Sequence, residues 1–281
     1  MSDWKQPLRL VEMLDKNGAI DDKGVKKLTE AVQEAADLAD NLKCEEFLAF
    51  ATSAVRSAAN SDDVLDHVEK KTGVRLQVLS GKDEARLTFL AARRWYGWSA
   101  GRITNLDIGG GSLEMSTGTD EVPDVAVSLD LGAGRLTHEW FDTDPPEKKM
   151  VNTLRDYIDA ELSTVADDFL DQGEAGLAVG TSKTFRTLAR LTGSAPSSAG
   201  PYVKRTLTAP GLRQLIAFIT RMTASDRAEL EGVSSDRSHQ IVAGALVAEA
   251  TMRALNLDKL EICPWALREG VILRQIDKGQ N

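Results

Sequence analysis

Cysteine and histidine are scarce in this chain of 281 residues, which contains two cysteines and three histidines. Cys44 and Cys263 lie far apart, and His67, His138 and His239 are scattered along the chain. Disulfide frameworks and structural zinc sites both require clusters of such side chains. We therefore expect neither feature, and we expect a reducing compartment.

Long apolar runs and an excess of basic residues are also missing. The longest apolar runs, such as residues 241–246, are far shorter than the ~20 residues of a membrane-spanning helix. The first seven residues do not resemble a signal peptide. With 34 Lys and Arg against 43 Asp and Glu, the net charge is −9, which argues against a general nucleic-acid-binding surface. We expect a cytoplasmic protein with no nucleic-acid or membrane partner.

What is present is an ordinary globular composition, with 42% hydrophobic and 27% charged residues, and a length typical of about two domains. Apolar residues at helical spacing alternate with short apolar runs, which predicts parallel βαβ units and an α/β fold. We place the domain boundary near Gly101, giving α/β domains over 1–101 and 102–281. The predicted strands lie at 46–52, 75–79, 103–108, 113–116, 125–131, 176–179 and 259–263.

The most informative segment runs from Asp107 to Glu114 and contains three consecutive glycines between two predicted strands. Gly109, Gly110, Gly111 and Ser112 would form a loop whose backbone N–H groups can surround a phosphate. Asp107 and Glu114 are then placed to hold a hydrated Mg²⁺. The alternative is a glycine-rich hairpin that binds no ligand, because loops also use glycine for geometry alone.

Two further polar residues follow predicted strands, at the sheet edge where open α/β sheets bind ligands. Glu84 lies in the first turn of a helix predicted over 80–96, and Arg56 lies in the segment 51–60. Glu84 has an alternative explanation, because acidic residues in a first turn complement the helix dipole. Arg56 and its polar neighbours could cap a helix instead of meeting a ligand.

A second glycine turn follows the predicted strand 176–179. Its residues Gly180, Thr181, Ser182 and Lys183 precede a predicted helix, whose N-terminus could bind a second phosphate. Residues 132–134, Gly-Ala-Gly, imitate a dinucleotide-binding fingerprint but lack its third glycine, so we discount them. Arg268 is by default a solvated surface charge.

Several of these motifs together resemble the exopolyphosphatase and guanosine pentaphosphate phosphatase family. They are Asp-Ile-Gly-Gly-Gly-Ser-Leu-Glu at 107–114, preceded by Ala-Thr-Ser-Ala-Val-Arg-Ser-Ala-Ala-Asn at 51–60 and Leu-Ser-Gly-Lys-Asp-Glu-Ala-Arg at 79–86. The segments 180–184, 240–245 and 265–270 extend the resemblance over nearly the whole chain. The sequence is most similar to the short actinobacterial members.

The resemblance implies an actin-like ATPase fold of the sugar kinase and heat-shock chaperone superfamily, with two α/β domains, a phosphate cleft between them, and a last helix that could return to the N-terminal domain. It implies hydrolysis of the terminal phosphoanhydride of short inorganic polyphosphate, with Mg²⁺ or Mn²⁺ as cofactor. Glu84 then activates the attacking water, and Asp107 and Glu114 hold the metal and position water. Arg56 and, less specifically, Arg268 match cleft arginines.

Family members begin with a strand, an Asp-x-Gly-Ser-Asn/Thr loop and a second strand, and this sequence begins after that hairpin. A misassigned start and a truncated, catalytically weak binder of polyphosphate or guanosine tetraphosphate both explain the difference, and we prefer the first. Guanosine pentaphosphate 5′-phosphatase activity is the alternative enzymatic function. A homodimer is plausible from the family.

Overall fold

A computed structural model describes residue 4 and residues 6–279, which form two compact units. One unit ends at Ser80 and the other begins at Gly81. The boundary expected near Gly101 therefore falls inside the second unit. Among the described residues, no helix combines the length and apolar character needed to cross a bilayer.

The first unit packs helices around a short parallel strand pair. Its elements are α1 (Asp22–Asn41), β1 (Phe50–Ala51), α2 (Ser53–Arg56), α3 (Ser61–Thr72) and β2 (Gln77–Val78). The α1 helix begins where Asp21 accepts a hydrogen bond from the Gly24 N–H at 2.7 Å, and α3 ends at Gly73, whose φ is 70°. The strands expected over 46–52 and 75–79 are only two residues long, because these segments pair over a single short stretch.

The second unit is built on a six-stranded sheet. The strands of this sheet are β3 (Ile103–Ile108), β4 (Leu113–Gly118), β5 (Val125–Leu129), β6 (Leu177–Gly180), β7 (Thr206–Thr208) and β8 (Lys259–Ile262). Their order across the sheet is β5-β4-β3-β6-β8-β7, and β3 pairs antiparallel with β4 and parallel with β6. The helices of this unit are α4 (Gly81–Tyr96), α5 (Ala133–Trp140), α6 (Lys148–Ser163), α7 (Ala166–Leu170), α8 (Lys183–Leu191), α9 (Ala209–Ile219), α10 (Ala224–Ala228), α11 (Ile241–Ala254) and α12 (Leu267–Gly279).

The position of α4 explains why the second unit begins at Gly81. This helix packs on β3, β4 and β5, and α12 packs on α4. Gly270 of α12 lies so close to α4 that a Cβ there would be 2.0 Å from the Leu87 carbonyl oxygen. The last helix packs on α4, and both helices belong to the second unit, so its return to the N-terminal domain stays a prediction. On the other side of the sheet, α8 and α11 cover β3 within the main apolar core.

Candidate active site

Asp107 and Glu114 lie directly opposite each other in the antiparallel ladder of β3 and β4. Side chains of such a pair share one face, with Cβ atoms about 4.5–5.5 Å apart. The Thr181 hydroxyl donates a 2.7 Å hydrogen bond to Asp107 Oδ2, and the Ser128 hydroxyl donates a 2.8 Å bond to Glu114 Oε1. The ladder and these two hydroxyls therefore hold two carboxylates side by side.

Burial makes both carboxyl groups reluctant to ionise. It raises the pKa of Asp107, although the Thr181 hydrogen bond opposes that rise. Burial also raises the pKa of Glu114 to about 8, and hydrogen bonds from Ser112 and Ser128 oppose the rise. The negative charges of Asp107 and Glu84 add to the rise at Glu114. A divalent cation between the two carboxylates would remove this mutual repulsion.

Glu84 lies in the first turn of α4 and is buried, with 6% of its surface exposed. Its charge acts on Glu114, and α4 packs on β3 and β4. An acid that only complements a helix dipole has no need of burial beside two other acids. The structure therefore brings together the three carboxylates singled out from the sequence.

The donor set fits Mg²⁺. Magnesium binds one or two protein carboxylates and completes its octahedron with water and substrate phosphate oxygens. Asp107 and Glu114 supply two oxygen donors of this kind, and among the described residues no third acid, histidine or cysteine, Glu84 included, joins them in a group that could hold a metal ion. The site therefore suits a cation shared with a phosphate ligand better than one enclosed by protein.

We expect the metal-free protein to lose stability between about pH 5 and pH 8. The folded state keeps the Glu114 proton up to a pKa of about 8, whereas the ordinary value is 4.5. The folded state then binds more protons than the unfolded chain, so the free energy of unfolding falls as pH rises, by at most about 1.4 kcal/mol per pH unit. Urea unfolding in EDTA should show a flatter pH dependence for Glu114→Gln. If the free energy of unfolding had the same slope against pH in Glu114→Gln and in the wild type, the raised pKa of Glu114 would be contradicted.

The loop between β3 and β4 has glycine at positions where the fold has room for a larger residue. None of Gly109, Gly110 and Gly111 has a positive φ, so their backbone angles do not demand glycine. A Cβ at Gly110 would meet no described atom within 4 Å, and one at Gly109 would make an ordinary contact with the Ser112 carbonyl at 3.5 Å. Gly109 and Gly110 keep the backbone accessible, which favours ligand binding over a purely geometric role, whereas Gly111 is buried.

The N-terminus of α5 supports this loop from behind. The N–H groups of Ala133 and Arg135 donate to the carbonyls of Gly109 and Gly110 at 3.0 and 2.9 Å. Arg135 Nε donates to the Gly111 carbonyl at 3.0 Å. The loop carbonyls are thus bonded to α5, and no described hydrogen bond uses the N–H of Gly110 or Gly111.

The discounted Gly-Ala-Gly at 132–134 is what makes this support possible. A Cβ at Gly132 would lie 2.2 Å from the Gly111 carbonyl carbon, and one at Gly134 would lie 2.8 Å from Gln240 Oε1 and 3.1 Å from the Gly110 carbonyl oxygen. The two glycines let α5 approach the loop. Sequence analysis missed these positioning residues, although the glycine spacing was the signal.

The second glycine turn has structural roles at three of its four residues. A Cβ at Gly180 would lie 2.7 Å from Phe185 Cγ, so glycine is needed there for packing. Thr181 is buried and holds Asp107. Ser182 caps α8 by accepting the Phe185 N–H at 3.3 Å. Phosphate binding by this turn stays a prediction.

Lys183 is exposed, and its Nζ donates to Ser234 Oγ at 3.2 Å. Arg56 belongs to the first unit, where its Nη1 donates to the Leu79 carbonyl at 2.8 Å. Arg268 lies at the start of α12, with its side chain largely exposed and paired with Glu269 at 2.8 Å. Substrate binding by these three residues likewise stays a prediction.

Two arginines that the sequence did not single out act electrostatically on Asp107. The charges of Arg186 and Arg237 both favour the ionised form of Asp107 and lower its pKa. Burial lowers the pKa of Arg237, and the Arg186 charge lowers it further. Among the described residues, Arg186 Nε has no hydrogen-bond partner. Arg186 lies one helical turn after the second glycine turn. This spacing is the feature of the sequence that could have indicated a role for Arg186 in the site.

A glycine loop, paired carboxylates, a third buried acid and two arginines on an α/β fold are a combination suited to binding phosphate. Residues 1–279 match the Ppx/GppA phosphatase family, and the chain belongs to that family. Exopolyphosphatase 1 of Mycobacterium tuberculosis (strain ATCC 25618 / H37Rv) is 65% identical over 277 residues, covering 99% of this chain and 80% of the relative. The Mycobacterium leprae protein of the same name is 64% identical, with 99% and 82% covered.

Solved structures share the fold. The crystal structure of the Aquifex aeolicus member of the Ppx/GppA family superimposes with a TM-score of 0.77 at 25% identity, covering 97% of this chain and 87% of that one. An exopolyphosphatase from Cytophaga hutchinsonii gives a TM-score of 0.84 at 22% identity, with 94% and 87% covered. The predicted α/β fold class is confirmed, and the chain shares its fold with solved members of the Ppx/GppA family.

Proposed function

We propose that this protein is an exopolyphosphatase, which hydrolyses the terminal phosphoanhydride bond of inorganic polyphosphate and releases orthophosphate. The observation that carries the proposal is the closeness of three carboxylates, those of Glu84, Asp107 and Glu114. They lie beside a glycine loop that has free space at Gly110. Relatives at 65% identity bear the name Exopolyphosphatase 1, which supports the same activity here.

In this proposal Glu84 accepts a proton from the water that attacks the terminal phosphorus. The new bond forms from the water oxygen to that phosphorus, and the bridging P–O bond breaks. The shortened chain leaves with the bridging oxygen, and the proton passes to the Glu84 carboxylate. General bases of this kind contribute about 10²–10⁴-fold to rate.

The remaining groups position and neutralise the phosphates. The backbone N–H group of Gly110, which is exposed, is available to bind a phosphate oxygen, and Arg186 and Arg237 supply positive charge. Asp107 and Glu114 would hold Mg²⁺, or Mn²⁺ in its place, which when bound neutralises phosphate oxygen charge. Thr181 and Ser128 keep the two carboxylates oriented for that cation.

Guanosine pentaphosphate is the alternative substrate for the same machinery, with removal of its 5′-terminal phosphate. Parallel assays of phosphate release from short polyphosphate and from guanosine pentaphosphate separate the two. We expect a higher kcat/KM for polyphosphate, and a higher value for the nucleotide would overturn the substrate assignment. A cytoplasmic location stays a prediction from the sequence, and a homodimer and guanosine tetraphosphate binding stay proposals from the family resemblance.

Replacing Arg237 by Gln should raise KM for polyphosphate about 10–100-fold, because a hydrogen bond to a charged group contributes about 1.5–3 kcal/mol. Stability should change little, since Arg237 is only half-buried and its charge is repelled by Arg186 but attracted by Asp236 and Asp107. Steady-state kinetics and thermal unfolding check both expectations. Arg213→Gln, the same charge change on the exposed side of α9, is the control. A similar KM for both variants would remove Arg237 from the substrate site.

A further inference from the structure

Asn105 and Ser116 form a polar pair next to the catalytic carboxylates. They lie directly opposite each other in the ladder of β3 and β4, two residues along each strand from Asp107 and Glu114. Side chains alternate along a strand, so both residues lie on the face that carries the two acids. Each is fully buried, with 0% of its surface exposed.

The polar atoms of this pair lack hydrogen bonds within the part of the chain that the structure describes. Neither atom of the Asn105 amide has a partner, and neither does the Ser116 hydroxyl. The neighbouring buried pair on the opposite face is satisfied, because Thr104 and Thr117 hydroxyls bond each other at 3.1 Å. Buried polar groups are nearly always bonded to protein or to an internal water. Asn105 and Ser116 are therefore placed to bind a small polar molecule.

The surroundings limit what this ligand can be. Phe89 and Ala92 of α4 pack with Ile103, the next residue of β3 on this face. The pair is thus enclosed between an apolar cluster on one side and the carboxylates on the other. Asn105 and Ser116 lie directly opposite each other in the ladder, so their Cβ atoms are about 4.5–5.5 Å apart, a gap that one water molecule can bridge with two hydrogen bonds of about 2.8 Å each.

We propose that Asn105 and Ser116 bind an internal water that donates a hydrogen bond to the Glu114 carboxylate. The water accepts from the Asn105 amide N–H and the Ser116 hydroxyl. Both residues are then positioning residues, because they act on the reaction through Glu114. The water site stands on the geometry alone, whereas the positioning role rests on the proposed hydrolase function.

The water site is tested without any activity measurement. A crystal structure of the protein at about 1.5 Å should contain an ordered water within hydrogen-bonding distance of both side chains. In a double-mutant cycle, Asn105→Leu and Ser116→Ala should each lower the urea midpoint, and the double variant should lower it by less than the sum of the two. The proposal would be overturned if the crystal structure showed no water between Asn105 and Ser116 and both single variants were more stable than the wild type.

The positioning role is tested by separating kcat from KM. Loss of a group that orients a metal-ligating carboxylate reduces activity about 10–100-fold, so Ser116→Ala should lower kcat by at least about tenfold with KM for polyphosphate unchanged. Thr117→Val, which breaks the satisfied pair on the opposite face, should lower stability and leave kcat unchanged. A kcat for Ser116→Ala equal to that of Thr117→Val would reject the positioning role, even where the water is present.

Discussion

Replacing Glu84 by Gln is expected to lower kcat for orthophosphate release by about 10²–10⁴-fold, the contribution of a general base. The amide keeps the size of the carboxylate but cannot accept the proton of the attacking water. KM should change little, because Glu84 acts on water rather than on phosphate. Removing one of three neighbouring negative charges should also lower the pKa of Glu114 and leave the folded state at least as stable.

Asp83→Asn provides the matched control for this variant. Asp83 lies in the same first turn of α4, and its half-exposed carboxylate pairs with Arg86 at 3.6 Å. Both acids complement the helix dipole, but only Glu84 is buried beside Glu114. Equal kinetic effects of the two substitutions would show that the first turn matters only for the helix and would remove the assigned base.

Replacing Gly110 by Ala is expected to reduce kcat/KM for polyphosphate by at least about 100-fold without loss of stability. The new methyl group meets no described atom within 4 Å, and the backbone has no positive φ. The folded state should therefore keep its stability or gain about 0.4–1 kcal/mol. The methyl group would occupy the space where a phosphate oxygen approaches the loop. Kinetics and urea unfolding of the same preparation check both parts.

Gly132→Ala is the contrasting variant. Its Cβ would lie 2.2 Å from the Gly111 carbonyl carbon, so the loop or α5 must move. We expect loss of both stability and activity, whereas Gly110→Ala loses activity alone. An unchanged kcat/KM for Gly110→Ala would show that phosphate does not approach this part of the loop.

Much of the second unit could be predicted because its elements carry strong local signals. The apolar run at 103–108 and the glycines after it predict β3 and the loop, and the structure confirms both. The two acids flanking that loop then face each other because an antiparallel hairpin fixes their register. A local pattern was therefore sufficient to bring Asp107 and Glu114 together.

Long-range contacts account for what the sequence did not predict. The sequence predicts a helix over 80–96, but only the packing of this helix on β3 to β5 assigns it to the second unit. The charges of Arg186 and Arg237 act on Asp107 from segments about fifty residues apart in the chain, and no spacing rule links them. The supporting role of residues 132–134 depends on a close approach between backbones, which a motif search does not detect.

The most direct test of the central claim is hydrolysis of short polyphosphate in H₂¹⁸O with Mg²⁺, with mass analysis of the products. We predict that orthophosphate is released and that each molecule carries one ¹⁸O atom, because water attacks the terminal phosphorus. Absence of orthophosphate release at every chain length would contradict the proposed activity. Label in the shortened chain instead of the orthophosphate would contradict the proposed site of attack.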